Sequence, residues 1–223
     1  MRRLPPVLYA LLHAAVSLPA EVLLNQPLAF VDGRASTITS PASGFKTWDS
    51  FSLANPALIR RITFIGAFID IATPANNPVA PSGDTWNFEL ATDNSGNPGT
   101  VTGSQSLAFQ SVAQQLLGGT TLAGQPVHVY RFTADLLAPL FVTGGETMWL
   151  SVFSAASNLD PRFGWYSGSG GDGVSKLINL GTGNLNTYLD RAMTLEGDTV
   201  PEPSSVILIS AGGLLIGLYR RRG

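Results

Sequence analysis

Residues 85–92 read Thr-Trp-Asn-Phe-Glu-Leu-Ala-Thr, and this stretch decides the fold class. Trp86, Phe88 and Leu90 fall on one side of an extended chain, and the polar residues between them fall on the other. Alternation with a period of two is typical of a β-strand with one buried and one wet face. Parallel sheets that are covered on both faces give continuous apolar runs instead. The stretch therefore predicts a strand in an antiparallel sheet.

Similar stretches recur along the chain, separated by clusters of Gly, Pro, Asn and Asp. Gly66 lies within one of them and predicts a bulge or bend, and Arg191 falls among the inward positions of another. No segment predicts an amphipathic helix. Two packed antiparallel sheets, a β-sandwich of jelly-roll type, are the economical arrangement for about nine short strands. The further strand candidates are residues 58–71, 127–133, 147–154 and 189–196, with weaker ones at 29–38, 45–53, 107–113 and 162–167.

The composition indicates one globular domain with appendages. Of the 223 residues, 44% are hydrophobic and 9% aromatic, which is enough material for a core. A disordered tail protein needs few aromatics and a high net charge, whereas the net charge here is −2. This charge provides no electrostatic footprint for nucleic acid. Cysteine is absent, which excludes a disulfide framework, a zinc-thiolate site and a thiol nucleophile.

Residues 1–25 are predicted to be a secretory signal peptide. Arg2 and Arg3 precede an apolar segment at residues 7–16, which is the order of the basic and hydrophobic regions of such a signal. Small residues provide two candidate cleavage positions, near residues 15–17 and after Ala20. A buried N-terminal helix is the alternative interpretation.

The C-terminal stretch has three parts. A proline-flanked segment at residues 200–205 precedes an apolar run at residues 206–219, and a basic tail at residues 220–223 follows. As a helix, residues 204–219 would span about 24 Å, which is short against a hydrocarbon core of about 30 Å. The arginine cluster favours a membrane helix over a core helix, because adjacent cations anchor well at the cytoplasmic face. We therefore predict a single transmembrane helix at residues 206–219.

The whole tail, residues 199–223, resembles the PEP-CTERM sorting signal of Gram-negative bacteria that produce exopolysaccharide. The resemblance rests on the Pro-Glu-Pro tripeptide, the apolar run and the terminal arginines, in that order. Tails of this type are also labelled ice-binding protein C-terminal domains. The resemblance implies that an exosortase, a transpeptidase-like membrane enzyme, recognises the tail and cleaves near the motif. By this analogy the sorting motif is Val200, Pro201, Glu202 and Pro203, and the membrane stop is Arg220, Arg221 and Arg222.

The domain between the two ends, residues 26–198, resembles more loosely other secreted β-sandwich domains that carry PEP-CTERM tails. It has thirteen acidic and eight basic side chains, and a mildly acidic surface offers no patch for an anionic polymer. The resemblance supports the fold and implies no particular ligand. The similar stretches are residues 48–53, 86–90, 93–99, 144–151 and 164–166.

A polar turn after residue 92 carries candidate metal ligands. Asp93, Asn94 and Asn97 place oxygen atoms in one loop, and calcium takes about six to eight oxygen ligands. The loop lacks the glutamate that an EF-hand has at its twelfth position. Asn, Asp, Gly and Pro are also the residues that tight turns require for backbone reasons. We therefore predict a hairpin turn and no metal or cofactor, with calcium as the alternative for this loop.

The sequence offers little for catalysis. The glycine-rich residues 167–173 lack the Lys-Ser or Lys-Thr of a phosphate loop and predict a flexible loop. His128 is the only histidine beyond the signal segment, and no Gly-x-Ser-x-Gly elbow accompanies it. Glycoside hydrolases use paired carboxylates, but the acids here fall mostly in turns or on wet faces, and no two are marked as partners. The acids considered are Asp49, Glu89, Asp135 and Glu146.

Aromatic side chains are the candidates for sugar binding. Trp165 and Tyr166 stand next to the glycine-rich loop and are the best pair for a stacking platform. Aromatic residues in alternating strands are more often part of the core. An ice-binding face needs a flat, repeated threonine ladder, which this sequence does not provide. The threonines considered for it are Thr37, Thr39, Thr120 and Thr121.

These observations predict the destination of the protein better than its activity. We expect an exported, non-enzymatic protein of the cell surface or extracellular polysaccharide, with an exosortase as its processing partner. Its precursor would stay in the inner membrane through the C-terminal helix before it reaches the surface or the matrix. A carbohydrate- or calcium-binding adhesin of lectin type is the first alternative, and a glycoside hydrolase is the second.

Overall fold

The computed structural model describes residues 20–74, 77–122 and 124–200 of the chain. A short 3-10 helix, Phe109–Ser111, lies between the seventh and eighth of its strands. In chain order the described strands are β1 (Glu21–Gln26), β2 (Leu28–Ala35), β3 (Thr37–Ser40), β4 (Ser43–Ser52), β5 (Ala57–Ile69), β6 (Thr85–Asp93), β7 (Pro98–Ala108), β8 (Ala113–Leu122), β9 (Gln125–Val142), β10 (Thr147–Ala155), β11 (Arg162–Gly168), β12 (Ser175–Asn179), β13 (Leu185–Tyr188) and β14 (Met193–Thr199).

The strands form two sheets of seven strands each. The first sheet contains β1, β2, β5, β8, β9, β11 and β14, and the second contains β3, β4, β6, β7, β10, β12 and β13. The pairings are antiparallel except for the short parallel contact between β3 and β10. The prediction of an all-β, sandwich-like domain with two sheets is confirmed.

An aromatic cluster fills the space between the sheets. The ring of Trp86 in β6 lies 4.8 Å from the ring of Phe163 in β11, edge to face. Phe64 of β5 stacks on Phe132 of β9 with ring centroids 5.1 Å apart. All four side chains are fully buried. Each such pair contributes about 0.5–1.5 kcal/mol beyond the burial of its area, so this cluster is a principal contact between the sheets.

The central strand of the first sheet is β5, which pairs with β9 along one edge. Its other edge is shared, because β14 pairs with residues 57–64 and β11 takes over at Gly66. The register between β5 and β9 shifts between Ile59 and Arg61 and is regular through Gly66. The bulge therefore lies earlier than the sequence predicts. Gly66 marks the change of partner strand, where the ring of Phe163 occupies the space that a Cβ would need.

The structure contains more strands than the nine expected, because several predicted stretches are divided. Residues 29–38 are split at Ser36, where the chain passes from the first sheet to the second. The Ser36 N–H donates to the carbonyl oxygen of Phe163 at 2.8 Å, and its own carbonyl accepts the N–H of Ser154 at 3.0 Å. Its backbone thus bonds to both sheets. Residues 107–113 contain the end of β7, the 3-10 helix and the start of β8.

The folded domain begins before residue 26. β1 (Glu21–Gln26) pairs antiparallel with β14, with Glu21 opposite Gly197 and Gln26 opposite Met193. Residues 21–25, which the sequence placed in the signal segment, are therefore part of the first sheet. Both cleavage positions that the sequence offers, near residues 15–17 and after Ala20, precede this strand and leave it whole.

No helix in the described part of the chain is long and apolar enough to cross a membrane. The predicted transmembrane helix at residues 206–219 lies outside the described residues, as does the basic tail at residues 220–223.

Replacing Gly66 tests the packing of β5 against β11. In Gly66→Ala the added Cβ would overlap Cε2 of the Phe163 ring and the carbonyl oxygen of Gly164, and it would lie only 2.7 Å from Cζ of the same ring. We expect this overpacking to lower the free energy of unfolding by about 1–3 kcal/mol, measured by urea denaturation. Gly119→Ala is the matched control, because its Cβ would lie 3.6 Å from the nearest atom, the carbonyl oxygen of Val127. Equal stability of the two variants would contradict the packing described here.

Candidate functional site

The sorting motif begins where the described fold ends. β14 finishes at Thr199, and the N–H of Val200 donates to the carbonyl oxygen of Pro56 at 2.7 Å. Val200 is the last described residue. The other predicted sorting residues, Pro201, Glu202, Pro203, Arg220, Arg221 and Arg222, lie outside the described part of the chain.

Both ends of the domain lie at the same end of the first sheet. β1 starts at Glu21, which is paired with Gly197 near the end of β14. Because these two strands are antiparallel, the chain enters β1 and leaves β14 at one edge of the fold. The segments before Glu21 and after Val200 therefore start from neighbouring points.

Trp165 and Tyr166 do not form an accessible platform. Trp165 points into the space between the sheets, is fully buried, and donates through Nε1 to the carbonyl oxygen of Ala192 at 3.0 Å. Tyr166 lies on the opposite face of β11 and packs with Leu28 and Ile65, and only 2% of it is exposed. Burial raises the pKa of the Tyr166 hydroxyl to about 12. Neither ring is available to stack on a sugar.

The other tryptophan side chains are also inaccessible to a ligand. Trp86 belongs to the core, and Trp48 and Trp149 lie on the outer face of the second sheet. Partly buried Val174 and Ile178 pack against the outer pair, and Trp48 and Trp149 are only 4% and 1% exposed. All four tryptophans of the chain are thus excluded from stacking on a sugar.

The loop with the candidate calcium ligands is a hairpin turn between β6 and β7. The N–H of Asn94 donates to the carbonyl oxygen of Asn97 at 2.8 Å, and the reverse bond is 3.2 Å long. Asp93 accepts the indole N–H of Trp149 at 2.8 Å and the N–H of Gly96 at 3.1 Å. The Trp149 bond is the main reason that the pKa of Asp93 is lowered. This carboxylate therefore already has protein donors.

One end of the interior is polar, in contrast to the aromatic core. Gln26, Asp49, Asp190 and Arg191 are each at most 4% exposed, and we call these four residues the buried polar cluster. Asp49 alternates with Phe51 along β4, so both side chains point toward the first sheet. The sequence placed the acids mostly in turns or on wet faces, and for Asp49 that prediction is wrong. The shared parity with Phe51 was the signal that could have revealed it.

Hydrogen bonds join the buried polar cluster across the two sheets. Asp49 accepts the backbone N–H of Arg191 at 3.0 Å through Oδ1. With the amide of Gln26 oriented by its neighbours, its nitrogen donates at 2.7 Å both to Oδ2 of Asp49 and to the carbonyl oxygen of Arg191. Gln26 belongs to the first sheet and Asp49 to the second. The cluster therefore connects the sheets.

The Arg191 guanidinium is satisfied mainly by backbone oxygens. Nε and Nη2 donate to the carbonyl oxygen of Leu189 at 3.0 and 2.6 Å, and Nη1 donates to that of Trp165 at 3.1 Å. The nearest carboxylate oxygen of Asp32 is 3.5 Å from Nη1. Burial is the main reason that the pKa of Arg191 is lowered. Because a buried, unpaired cation is costly, these bonds are a condition for placing Arg191 here.

Asp190 holds the glycine-rich loop in place. Its Oδ1 accepts the N–H groups of Gly173 and Val174 at 2.7 and 3.0 Å, and its Oδ2 accepts that of Gly171 at 3.1 Å. A Cβ on Gly171 would lie 2.7 Å from Oδ2 of Asp190 and would overlap the side-chain amide group of Gln26. The sequence predicted a flexible loop here, whereas these residues form a backbone cradle around one carboxylate.

Two buried carboxylates lie side by side in this cluster. Loss of hydration, followed by the charge of Asp190, raises the pKa of Asp49 well above its usual value. Loss of hydration also raises the pKa of Asp190. Such pairs resemble the acids of glycoside hydrolases. Here, however, all four carboxylate oxygens accept protein N–H groups and the side chains are closed to solvent, so a substrate oxygen cannot reach them.

The other acidic residues that were candidates for catalysis lie apart from one another in the structure. Glu89 pairs with Lys46 at 2.8 Å on the outer face of the second sheet, and Asp135 pairs with Arg61 at 2.6 Å on the outer face of the first. Glu146 is exposed in the turn between β9 and β10. His128 is half-buried beside the ring of Tyr130, with ring centroids 6.3 Å apart. The structure brings none of these residues together as a catalytic pair.

A model of the PEP-CTERM protein-sorting motif matches residues 199–222. The match starts at the last residue of β14 and covers the tail that the sequence analysis had singled out. The chain is thus an all-β, sandwich-like domain followed by a PEP-CTERM sorting motif, and such a motif implies processing by an exosortase. No curated protein matches the sequence.

Removing the Asp93 carboxylate tests whether its loop is a turn or a metal site. In Asp93→Ala the indole N–H of buried Trp149 loses its acceptor, and we expect the free energy of unfolding to fall by about 1–3 kcal/mol. Because the loss is a hydrogen bond and not a metal, a chelator should leave the melting temperature of the wild-type protein unchanged. A drop in melting temperature with chelator that Asp93→Ala abolishes would instead establish a cation site.

The raised pKa of Asp49 predicts how stability depends on pH. Folded Asp49 holds its proton to higher pH than in the unfolded chain, where its pKa is about 3.8. Its contribution is therefore greatest below that value and is lost as pH rises through the folded-state pKa. Asp49→Asn removes this titration but keeps an acceptor for the N–H of Arg191.

Urea denaturation at about pH 7 and about pH 5 measures the effect. We expect the midpoint to rise more on acidification in the wild-type protein than in Asp49→Asn. Glu146→Gln, which neutralises an exposed acid, is the control and should follow the wild type. Parallel pH dependence of the wild type and Asp49→Asn would show that Asp49 is not desolvated in the folded state.

Proposed function

We propose that this protein is an exported, non-enzymatic component of the cell surface or extracellular polysaccharide, sorted by an exosortase through its PEP-CTERM tail. The observation that carries the proposal is the match to the sorting motif at residues 199–222, immediately after the last strand of the domain. In this proposal the β-sandwich is the exported cargo and the tail directs it.

The position of the motif suits removal of the tail. β14 is paired on both edges, with β1 on one side and β5 on the other, and these pairings end by Thr199. Val200 contributes one further backbone bond, to Pro56. Cleavage beyond Val200 therefore breaks none of the described strand pairings, and in this proposal the domain keeps its core after the tail is removed.

The shared exit point of the two ends suits a membrane-held precursor. A signal segment before Glu21 and an apolar tail after Val200 would both leave from the end of the first sheet where these residues lie. In this proposal the precursor is anchored in the inner membrane at that end, with Arg220, Arg221 and Arg222 on the cytoplasmic side. The opposite end of the sandwich faces away from the membrane.

The interior of the domain supports a non-enzymatic role. Its two adjacent carboxylates are saturated by Arg191, Gln26 and the glycine-rich loop, so they act as a structural connection. A lectin-like module has less support because every tryptophan is closed, and calcium binding has less support because Asp93 is engaged by Trp149. Association with extracellular polysaccharide follows in this proposal from the sorting route and not from a sugar site.

A single substitution in the tail tests the sorting role. Glu202 stands between two φ-restricted prolines just outside the apolar run, where a processing enzyme can recognise it. We expect Glu202→Ala to leave the domain folded and to make uncleaved precursor accumulate in the membrane fraction, as measured by immunoblot of fractionated cells. The matched control is Glu146→Ala, an exposed glutamate in a turn far along the chain from the motif. Equal amounts of the shorter, mature form in Glu202→Ala and wild type would refute the role of Glu202.

A further inference from the structure

We propose that the free edge of β8 pairs with β8 of a second copy of this protein, so that the first sheet continues across a two-fold dimer. The argument starts from the position of β8. It pairs with β9 and with no other described strand, and it forms one margin of the first sheet. Its outer row of backbone N–H and C=O groups is therefore open to another strand.

The sequence of β8 lacks two of the usual protections of an edge strand, a charged residue and a proline. Residues 113–122 read Ala-Gln-Gln-Leu-Leu-Gly-Gly-Thr-Thr-Leu, without a charged residue or a proline. Charges and prolines on edge strands normally prevent association with other chains. Leu116 and Leu117 are 53% and 38% exposed, so the strand also presents apolar side chains to solvent. A bulge between Leu116 and Gly118 divides the strand into two paired segments, residues 113–116 and 118–122.

The other edges of the described sheets are better protected. At the opposite margin of the first sheet, β1 carries Glu21, and β2 carries the ion pair of Asp32 and Arg34. In the second sheet, β13 is only four residues long. β7 begins with Pro98, and a Cβ on its Gly103 would lie 3.0 Å from Leu140 of β9. Among the described edge strands, β8 is therefore the one with neither a charged residue nor a proline over ten residues.

A second copy of β8 is the occupant that fits this edge. A polysaccharide has no alternating peptide donors and acceptors to match it, whereas an extended strand does. Two identical uncharged strands meet without repulsion, although the domain as a whole is acidic. Antiparallel pairing about a two-fold axis uses the same surface on both copies and closes after two. In that arrangement the exposed leucines of each copy are covered by the other.

Placing a charge on this edge tests the proposal. The full chain, extracted in mild detergent, would be sized by light scattering over a range of concentrations, with the detergent mass subtracted. We expect a concentration-dependent dimer in the wild type and at least about tenfold weaker association in Leu116→Lys, because two lysines would meet at the interface. Leu185→Lys is the matched control: Leu185 is 41% exposed on β13, and its replacement should leave association unchanged.

Hydrogen exchange provides a second measurement that does not depend on a variant. Outward amides of β8 should exchange more slowly as wild-type concentration rises, while those of β13 should not change. Circular dichroism melts check that both lysine variants remain folded. A wild type that stays monomeric throughout overturns the proposal. So does a dimer that Leu116→Lys leaves intact, because association would then use another surface.

Discussion

The burial of Arg191 between the two sheets constrains the rest of this structure. A guanidinium without water must have its donors satisfied, or the fold loses several kcal/mol. The carbonyl oxygens of Leu189 and Trp165 do this, and Asp49 accepts the backbone N–H of the same residue. The segment before β14, the middle of β11 and β4 are thereby held together. These requirements define one relative position of the two sheets.

The glycine-rich loop is a consequence of that constraint. Asp190 adjoins Arg191 in sequence and is drawn into the same interior, where it needs donors of its own. Backbone N–H groups supply them, because Gly171 allows the chain to approach the carboxylate more closely than a residue with a Cβ can. A sequence that looks like a flexible or ligand-binding loop therefore completes the interior. Stability and not chemistry explains its composition.

The last strand of the described domain ends where the sorting motif begins. β14 is paired along both edges and its last backbone bond, from Val200 to Pro56, lies just before the Pro-Glu-Pro tripeptide. The described pairing of β14 is therefore complete before the tripeptide that the sorting motif carries.

The sequence by itself determined the features that are encoded locally. Period-two alternation at residues 85–92 specified an inward face, which Trp86 and Leu90 occupy, and the sorting motif could be read as contiguous residues. Only the tertiary structure decided the burial of Asp49 and the closure of the Trp165 and Tyr166 pair. The partners of these residues come from distant parts of the chain: Asp49 and Arg191 are 142 positions apart. Alternation shows that a side chain points inward or outward, but the strand that covers it depends on how the sheets are assembled.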